Sequence, residues 1–234
     1  MTQRTFLPSL RLATLTLLAC TAGAHAQDGA PANELRLGAY FVHDDVKAND
    51  LSGPFTPPGI NIRVGDVTTP YIGYIRNLDP HWALDLAAGV PPTVKTYGKG
   101  PATVGSVPFD GQEVATAKWF SPSLLIDYKF MEPSSALRPY VGIGFNYTRF
   151  YKLQSTAAGD AANGGPTRVH LSHSIGPAAT VGLQYQITHG ISVVASYSVA
   201  RVNSHYRSDT AGNIRTTSIH FNPRAAIVAL GYAF

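Results

Sequence analysis

Bulky apolar residues recur at every second position along much of the chain. The clearest run is Ile227 to Phe234, where Val228, Leu230, Tyr232 and Phe234 alternate with Ile227, Ala229, Gly231 and Ala233. Successive side chains on a strand point to opposite faces, so this run has one bulky apolar face and one slimmer face. The same period runs through Leu35–Phe41, Val67–Arg76, Trp82–Val90, Ser123–Phe130, Tyr140–Tyr147, Ala178–Ile187 and Ile191–Val199. With the last run these predict eight β-strands.

In nearly every run the charged or small residues share one face. Arg36, Arg76, Asp85, Asp127 and Lys129 all fall on that set. In the second run, Val67, Thr69, Tyr71, Gly73 and Ile75 are read as the outer apolar set, opposite Ile72, Tyr74 and Arg76. Apolar-out, polar-in alternation is the pattern of a transmembrane barrel, where a basic residue facing lipid costs roughly 2–4 kcal/mol at the midplane. A soluble eight-stranded barrel of lipocalin type would show the same period with its apolar face inside. Two features favour the membrane. Trp82, Tyr128, Phe130, Tyr147, Tyr185, Tyr232 and Phe234 lie near strand ends, as an aromatic girdle would place them. The connections also alternate in length. Asn77–His81, Met131–Arg138 and Thr188–Gly190 are short, and His43–Asp66, Pro91–Val114, Tyr151–Val169 and Arg201–Phe221 are long. Short periplasmic turns and long external loops are a barrel signature. The fold class is therefore all-β, an eight-stranded antiparallel transmembrane β-barrel with both ends in the periplasm. Residues 157–166 (AAGDAANGGP), small and Gly-rich, read as a flexible loop tip.

The beginning of the chain agrees. Arg4 and Arg11 flank a polar start, Leu12–Ala22 is mostly apolar, and Ala24-His25-Ala26 fits a small-x-small cleavage site. Residues 1–26 are predicted to be a signal peptide and 27–234 the barrel. Leu17-Leu18-Ala19-Cys20 also reads as a lipoprotein box, with acylation on Cys20. The chain's one cysteine lies in this segment, which leaves the barrel without disulfide or thiol chemistry. Arg4 and Arg11 leave too, taking the net charge from +4 toward neutrality. Basicity is then no argument for nucleic acid. Charged residues make up only 14% of the chain, which a lipid-facing surface explains. Beyond the signal the sequence has no apolar run long enough for a helical span, about 18 residues.

Several segments resemble the outer-membrane protein W (OmpW) family of small eight-stranded barrels. Residues 138–148 (RPYVGIGFNYT) resemble its most recognisable stretch. Trp119-Phe120-Ser121-Pro122-Ser123, residues 86–91 (LAAGVP), Asn222-Pro223 and the final Gly231-Tyr232-Ala233-Phe234 match more loosely. Two departures stand out: His173-Ser174-Ile175-Gly176 lacks the family's usual aromatic residue, and Asn222 replaces a common Asp. The resemblance implies passage of small hydrophobic molecules through a narrow apolar lumen that opens sideways into the bilayer.

The chemistry on the chain fits that role. Leu51, Phe55 and Ile60 lie in an apolar, Pro-rich first external loop and are candidates for an apolar entrance. Arg36, Arg76, Asp85, Asp127 and Lys129 are candidates for an inward charge plug, since paired charges tolerate burial better than single ones. Gly142, Gly144 and Gly182 either make room for large inward neighbours or keep a passage open. Val228, Leu230, Tyr232 and Phe234 resemble the signal read by the barrel-assembly machinery. His170-x-Ser172 has no adjacent acid and reads as a hydrogen bond at a loop root rather than as catalysis. The expected partners are outer-membrane lipid, small hydrophobic solutes and the assembly machinery. No cofactor, metal site, enzymatic activity or nucleic-acid partner is expected. The alternative function is a structural or surface-interaction barrel without transport.

Overall fold

The computed structural model describes residues 31–104 and 106–234; the predicted signal peptide and Cys20 lie outside them. The strands in chain order are β1 (Asn33–Ala48), β2 (Asn61–Val64), β3 (Val67–Asn77), β4 (Trp82–Gly89), β5 (Thr93–Lys99), β6 (Thr103–Val104), β7 (Val107–Pro108) and β8 (Glu113–Phe120). They continue with β9 (Ser123–Lys129), β10 (Leu137–Ser155), β11 (Thr167–Leu171), β12 (Ser174–Thr188), β13 (Ile191–Ala200), β14 (Val202–Thr210) and β15 (Asn213–Ala233). One short helix, α1 (Ala157–Asn163), joins β10 to β11.

Eight antiparallel strands close a ring in the order β1, β3, β4, β9, β10, β12, β13, β15. The closing ladder runs from Glu34↔Ala233 to Ala48↔Ile219. At its foot Asn33 and Phe234 exchange backbone bonds of 3.1 and 2.8 Å. Closure removes the open edges that would otherwise invite pairing with other chains.

Leu35, Leu37 and Phe41 on β1, Leu84 and Leu86 on β4, Ile143 and Phe145 on β10, and Val228 and Leu230 on β15 all point outward and are exposed. That apolar belt needs hydrocarbon, not water, around it. Aromatic side chains border it at the short-turn end. Trp82 meets Tyr128 edge-on at 5.0 Å, Tyr128 meets Phe130 at 5.0 Å, and Tyr232 stacks on Phe234 at 6.1 Å.

One strand reverses the expected facing. On β3, Tyr71 and Ile75 are buried inside, while Ile72 and Tyr74 face out. Arg76 therefore leaves the predicted plug: it is half-buried at the rim and donates to Asn33 Oδ1 at 2.8 Å. A strand's period is two, so a one-residue misreading moves every side chain to the other face. Both faces of β3 are largely uncharged, and its one charge, Arg76, sits at the rim, where lipid does not decide its facing.

Beyond the belt the strands continue, but the wall divides. β10 leaves β12 after Thr148↔Ser174 and pairs with β8, which pairs with β5 and then β2. β1 leaves β3 after Val42↔Val67 and stays with β15, which also pairs with β14, and β14 in turn with β11. The external wall is thus two leaves, β2–β5–β8–β10 and β11–β14–β15–β1. The segment read as a flexible tip is a capped helix. The Thr156 hydroxyl accepts from Gly159 N–H, and Gly164, at φ 83°, turns its own N–H back to the helix carbonyls. An N-cap and a left-handed C-cap glycine suffice to define one short helix here.

Candidate functional site

The lower half of the lumen is filled by a buried polar cluster. β1 turns Glu34 and Arg36 inward, two residues apart on one face. Arg36 Nε donates to Glu34 Oε1 at 2.8 Å and Arg36 Nη2 to Oε2 at 3.4 Å. Lys129 Nζ lies 3.7 Å from Glu34 Oε2 and donates to Asn77 Oδ1 at 2.8 Å. Gln184 Nε2 donates to both Glu34 oxygens at 3.2 Å. Asp85 is a longer partner of Arg36, at 3.9 Å, and Tyr140 carries the Arg36 guanidinium 5.3 Å from its ring centre. Asp127 is fully buried beside them. Of the five expected plug residues, Arg36, Asp85, Asp127 and Lys129 come together here and Arg76 does not. Glu34, the hub, was missed. Its signal was its position two residues before Arg36, at the very start of the alternation.

Gly142 and Gly182 belong to this packing. A Cβ on Gly142 would collide with Asp127, and one on Gly182 with the Tyr140 ring. At both positions the missing side chain makes room for a large inward neighbour, not for a passage.

One inward step above Asp85 and Asp127 stand Ala87 and Leu125, and there the lumen opens. The cavity holds about 400 Å³ and its lining is mainly apolar. Val42, Val94, Trp119 and Ala225 pack as one buried group, and Leu171, Val202, Ile219 and Phe221 as a second. Phe150 bridges to Phe221, ring centres 5.4 Å apart. Asp44 also lines the wall, above the lipid belt. Burial pushes its carboxyl up to about 6, with His43 opposing the rise and Asp66 adding to it.

The first external loop roofs the cavity. Leu51, Phe55 and Ile60 all line it. Ile60 is buried, while Phe55 is 86% exposed at the mouth. Leu51 N–H donates to Ile60 O at 3.1 Å, and Ser52 and Thr216 exchange backbone bonds of 3.0 and 2.9 Å, which pins the loop to β15. Arg215 reaches up from β15, donating through Nε to Pro54 O at 3.0 Å and through Nη1 to Asn163 Oδ1 at 2.8 Å.

The wall beside the cavity has a seam. The β4–β9 ladder ends at Ala87↔Ser123, and the β5–β8 ladder resumes at Thr93↔Lys118. The stretch between contains Pro91, Pro92 and Pro122, which have no N–H to offer a neighbour. Val90 N–H turns to Pro70 O at 2.9 Å, and Asn146 Nδ2 takes the Ser121 and Pro122 carbonyls at 3.3 and 3.2 Å. Outward-facing Val90 and Phe120 flank the seam, while Ser121 and Ser123 line the cavity within.

The His170–Ser172 pair lies elsewhere. His170 is exposed, and the Ser172 hydroxyl oxygen accepts from His205 N–H at 2.9 Å, binding strand to strand. No group of three or more metal-ligating side chains occurs among the described residues.

A family model described as the OmpW family matches residues 34–234. Outer membrane protein W of Vibrio cholerae is 30% identical over 122 residues, covering 52% of this chain and 55% of that protein. Outer membrane protein W of Escherichia coli K12 is 30% identical over 122 residues, covering 52% and 57%. The match thus spans about half the length of these curated relatives. Among solved structures, the crystal structure of outer membrane protein OprG from Pseudomonas aeruginosa superposes with a TM-score of 0.78 at 22% identity, covering 88% of this chain and 96% of that one. The solid-state NMR structure of outer membrane protein AlkL in lipid bilayers gives 0.64 at 17% identity, covering 100% and 97%. Both share the fold.

Proposed function

The chain belongs to the OmpW family and lies in the bacterial outer membrane, and from that premise we propose that it passes small hydrophobic molecules from outside into the bilayer. The observation that carries the reading is an apolar cavity, lined at its outer end by the first external loop, closed below by charge, with an unpaired seam in its side wall. A solute entering past Phe55 exchanges water for apolar wall, gaining roughly 25 cal/mol per Å² buried. The charged floor is an unfavourable next step for it, because apolar groups do not solvate ions. The seam is the favourable one, since it borders lipid. The passage is passive and follows the solute gradient.

The protein carries its own reporter. Trp82 and Trp119 are its two tryptophans; Trp82 faces lipid and Trp119 lines the cavity. In a Trp82→Phe background, ω-bromodecanol is expected to quench Trp119 saturably. An aromatic contact at the mouth is worth about 1.5 kcal/mol, so Phe55→Asp is expected to raise the apparent Kd about tenfold. Cells with the protein should take up the probe faster than cells without it, with no gain for small sugars or ions. Equal uptake in both cells favours the structural barrel instead, and rapid ion passage means an open aqueous pore.

A further inference from the structure

Arg215 is a cation set into the rim of an apolar cavity, with no carboxylate partner among the described residues. Its residue is 6% exposed, and the cavity lining includes it. Both its hydrogen-bond acceptors, Pro54 O and Asn163 Oδ1, are neutral. The ion pairs among the described residues join other partners: Glu34 with Arg36 and Lys129, Asp85 with Arg36, Asp45 with Arg224, Asp66 with His43 and Glu113 with Lys95. Asp160, on the neighbouring helix, accepts from Thr167 N–H at 3.0 Å. A guanidinium has five N–H donors, and the two bonds named use two of them. A buried charge with only neutral partners is costly, and an incoming carboxylate offsets that cost through a charge-assisted, bidentate bond.

Below Arg215, the inward row of β15 continues past Thr217 to Ile219 and Phe221, which start an apolar track down the cavity. The other charged residue on the lining, Asp44, stands opposite Pro223. Eight residues of strand separate that level from Arg215, about 26 Å at the usual rise. An anion held at the rim is therefore far from the carboxylate deeper in the wall, while its tail meets apolar surface.

We infer that Arg215 makes the lumen selective for amphipathic anions, molecules with an apolar tail and a terminal carboxylate, such as medium-chain alkanoates. This rests on the channel reading above and narrows its substrate class. Two matched probes test it at neutral pH, ω-bromodecanoate and ω-bromodecanol, titrated against Trp119 fluorescence in the purified Trp82→Phe barrel. The carboxylate is expected to bind about tenfold more tightly than the alcohol, the gain of one charge-assisted bond. Arg215→Gln should collapse that ratio toward one, and Arg215→Lys should keep part of it, since a lysine holds the charge without the fork. A ratio near one in the unaltered barrel overturns the inference and leaves the channel standing. A ratio that survives Arg215→Gln, with both probes weakened together, also overturns it and makes Arg215 a loop clasp. Saturable quenching by neither probe overturns the channel reading itself. The unheated, compact gel band confirms that each variant is folded.

Discussion

Glu34→Ala tests whether the lumen floor is one electrostatic unit. The carboxylate is 2% exposed and meets Arg36 at 2.8 Å, Lys129 at 3.7 Å and Gln184 at 3.2 Å. Truncating it strands two buried cations, with Asp85 remaining for Arg36 at 3.9 Å. Removing one partner of a buried pair typically costs about 3–5 kcal/mol, most of it the penalty of the charge left behind. The expected loss for Glu34→Ala lies in that range. The double variant Glu34→Ala/Arg36→Ala removes the stranded guanidinium too, so it should lose less than the two single losses added, by about 2 kcal/mol. The assay is urea unfolding in lipid vesicles, read as the folded band on unheated gels and extrapolated linearly to zero urea. Arg76→Ala, half-buried at the rim, is the contrast and should cost under about 1 kcal/mol. A Glu34→Ala loss below about 1 kcal/mol, or strict additivity in the double variant, refutes the picture of a coupled floor.

Phe234→Ala keeps the two backbone bonds to Asn33 and removes only the stacked ring. Its equilibrium stability should change little while insertion in cells slows, and insertion at the unaltered rate refutes a recognition role for the ring. Asp44, whose carboxyl is raised from 3.8 to about 6, binds its proton more tightly in the folded barrel than in the unfolded chain. Stability should therefore fall as pH rises from about 4 through about 6 and level off above. Asp44→Asn should remove that slope, and an unchanged slope assigns it to other groups.

Period-two alternation placed seven of the eight membrane strands with the right face inward, because lipid outside and charge inside impose opposite demands on alternate residues. It failed on β3, where Tyr71, Gly73 and Ile75 face the charged floor without adding a charge to it: Ile75 stands opposite Glu34 and Asp85, and Gly73 opposite Arg36. Glu34 escaped because an alternating pattern has no contrast at its first residue. Arg215, Trp119 and the seam were illegible for a different reason. Arg215 lies where the strands rise past the membrane, and Trp119 and the seam lie at the outer edge of the lipid belt, where the contrast between lipid and a charged interior no longer labels one face of a strand. The division of the wall into two leaves depends on which strands stop pairing, a long-range property that local alternation does not encode. α1 was hidden by its composition: small residues and glycines suit a loose tip, and two caps turned them into a helix.

The 21-residue strand β15 has a kinetic consequence. It pairs with β1, β13 and β14, all of which precede it in the chain, and its contacts with β1 join residues as far apart as Glu34 and Ala233. Contacts so distant in sequence form slowly, because loop entropy is lost before they repay it. Until β15 arrives, the edges of β1 and β13 have no partner, so no intermediate made from the earlier strands alone is a closed ring. A growing chain of this kind gains nothing by folding as it is synthesised. Its topology puts closure last, in the step that joins β15 to β1 and β13 at once.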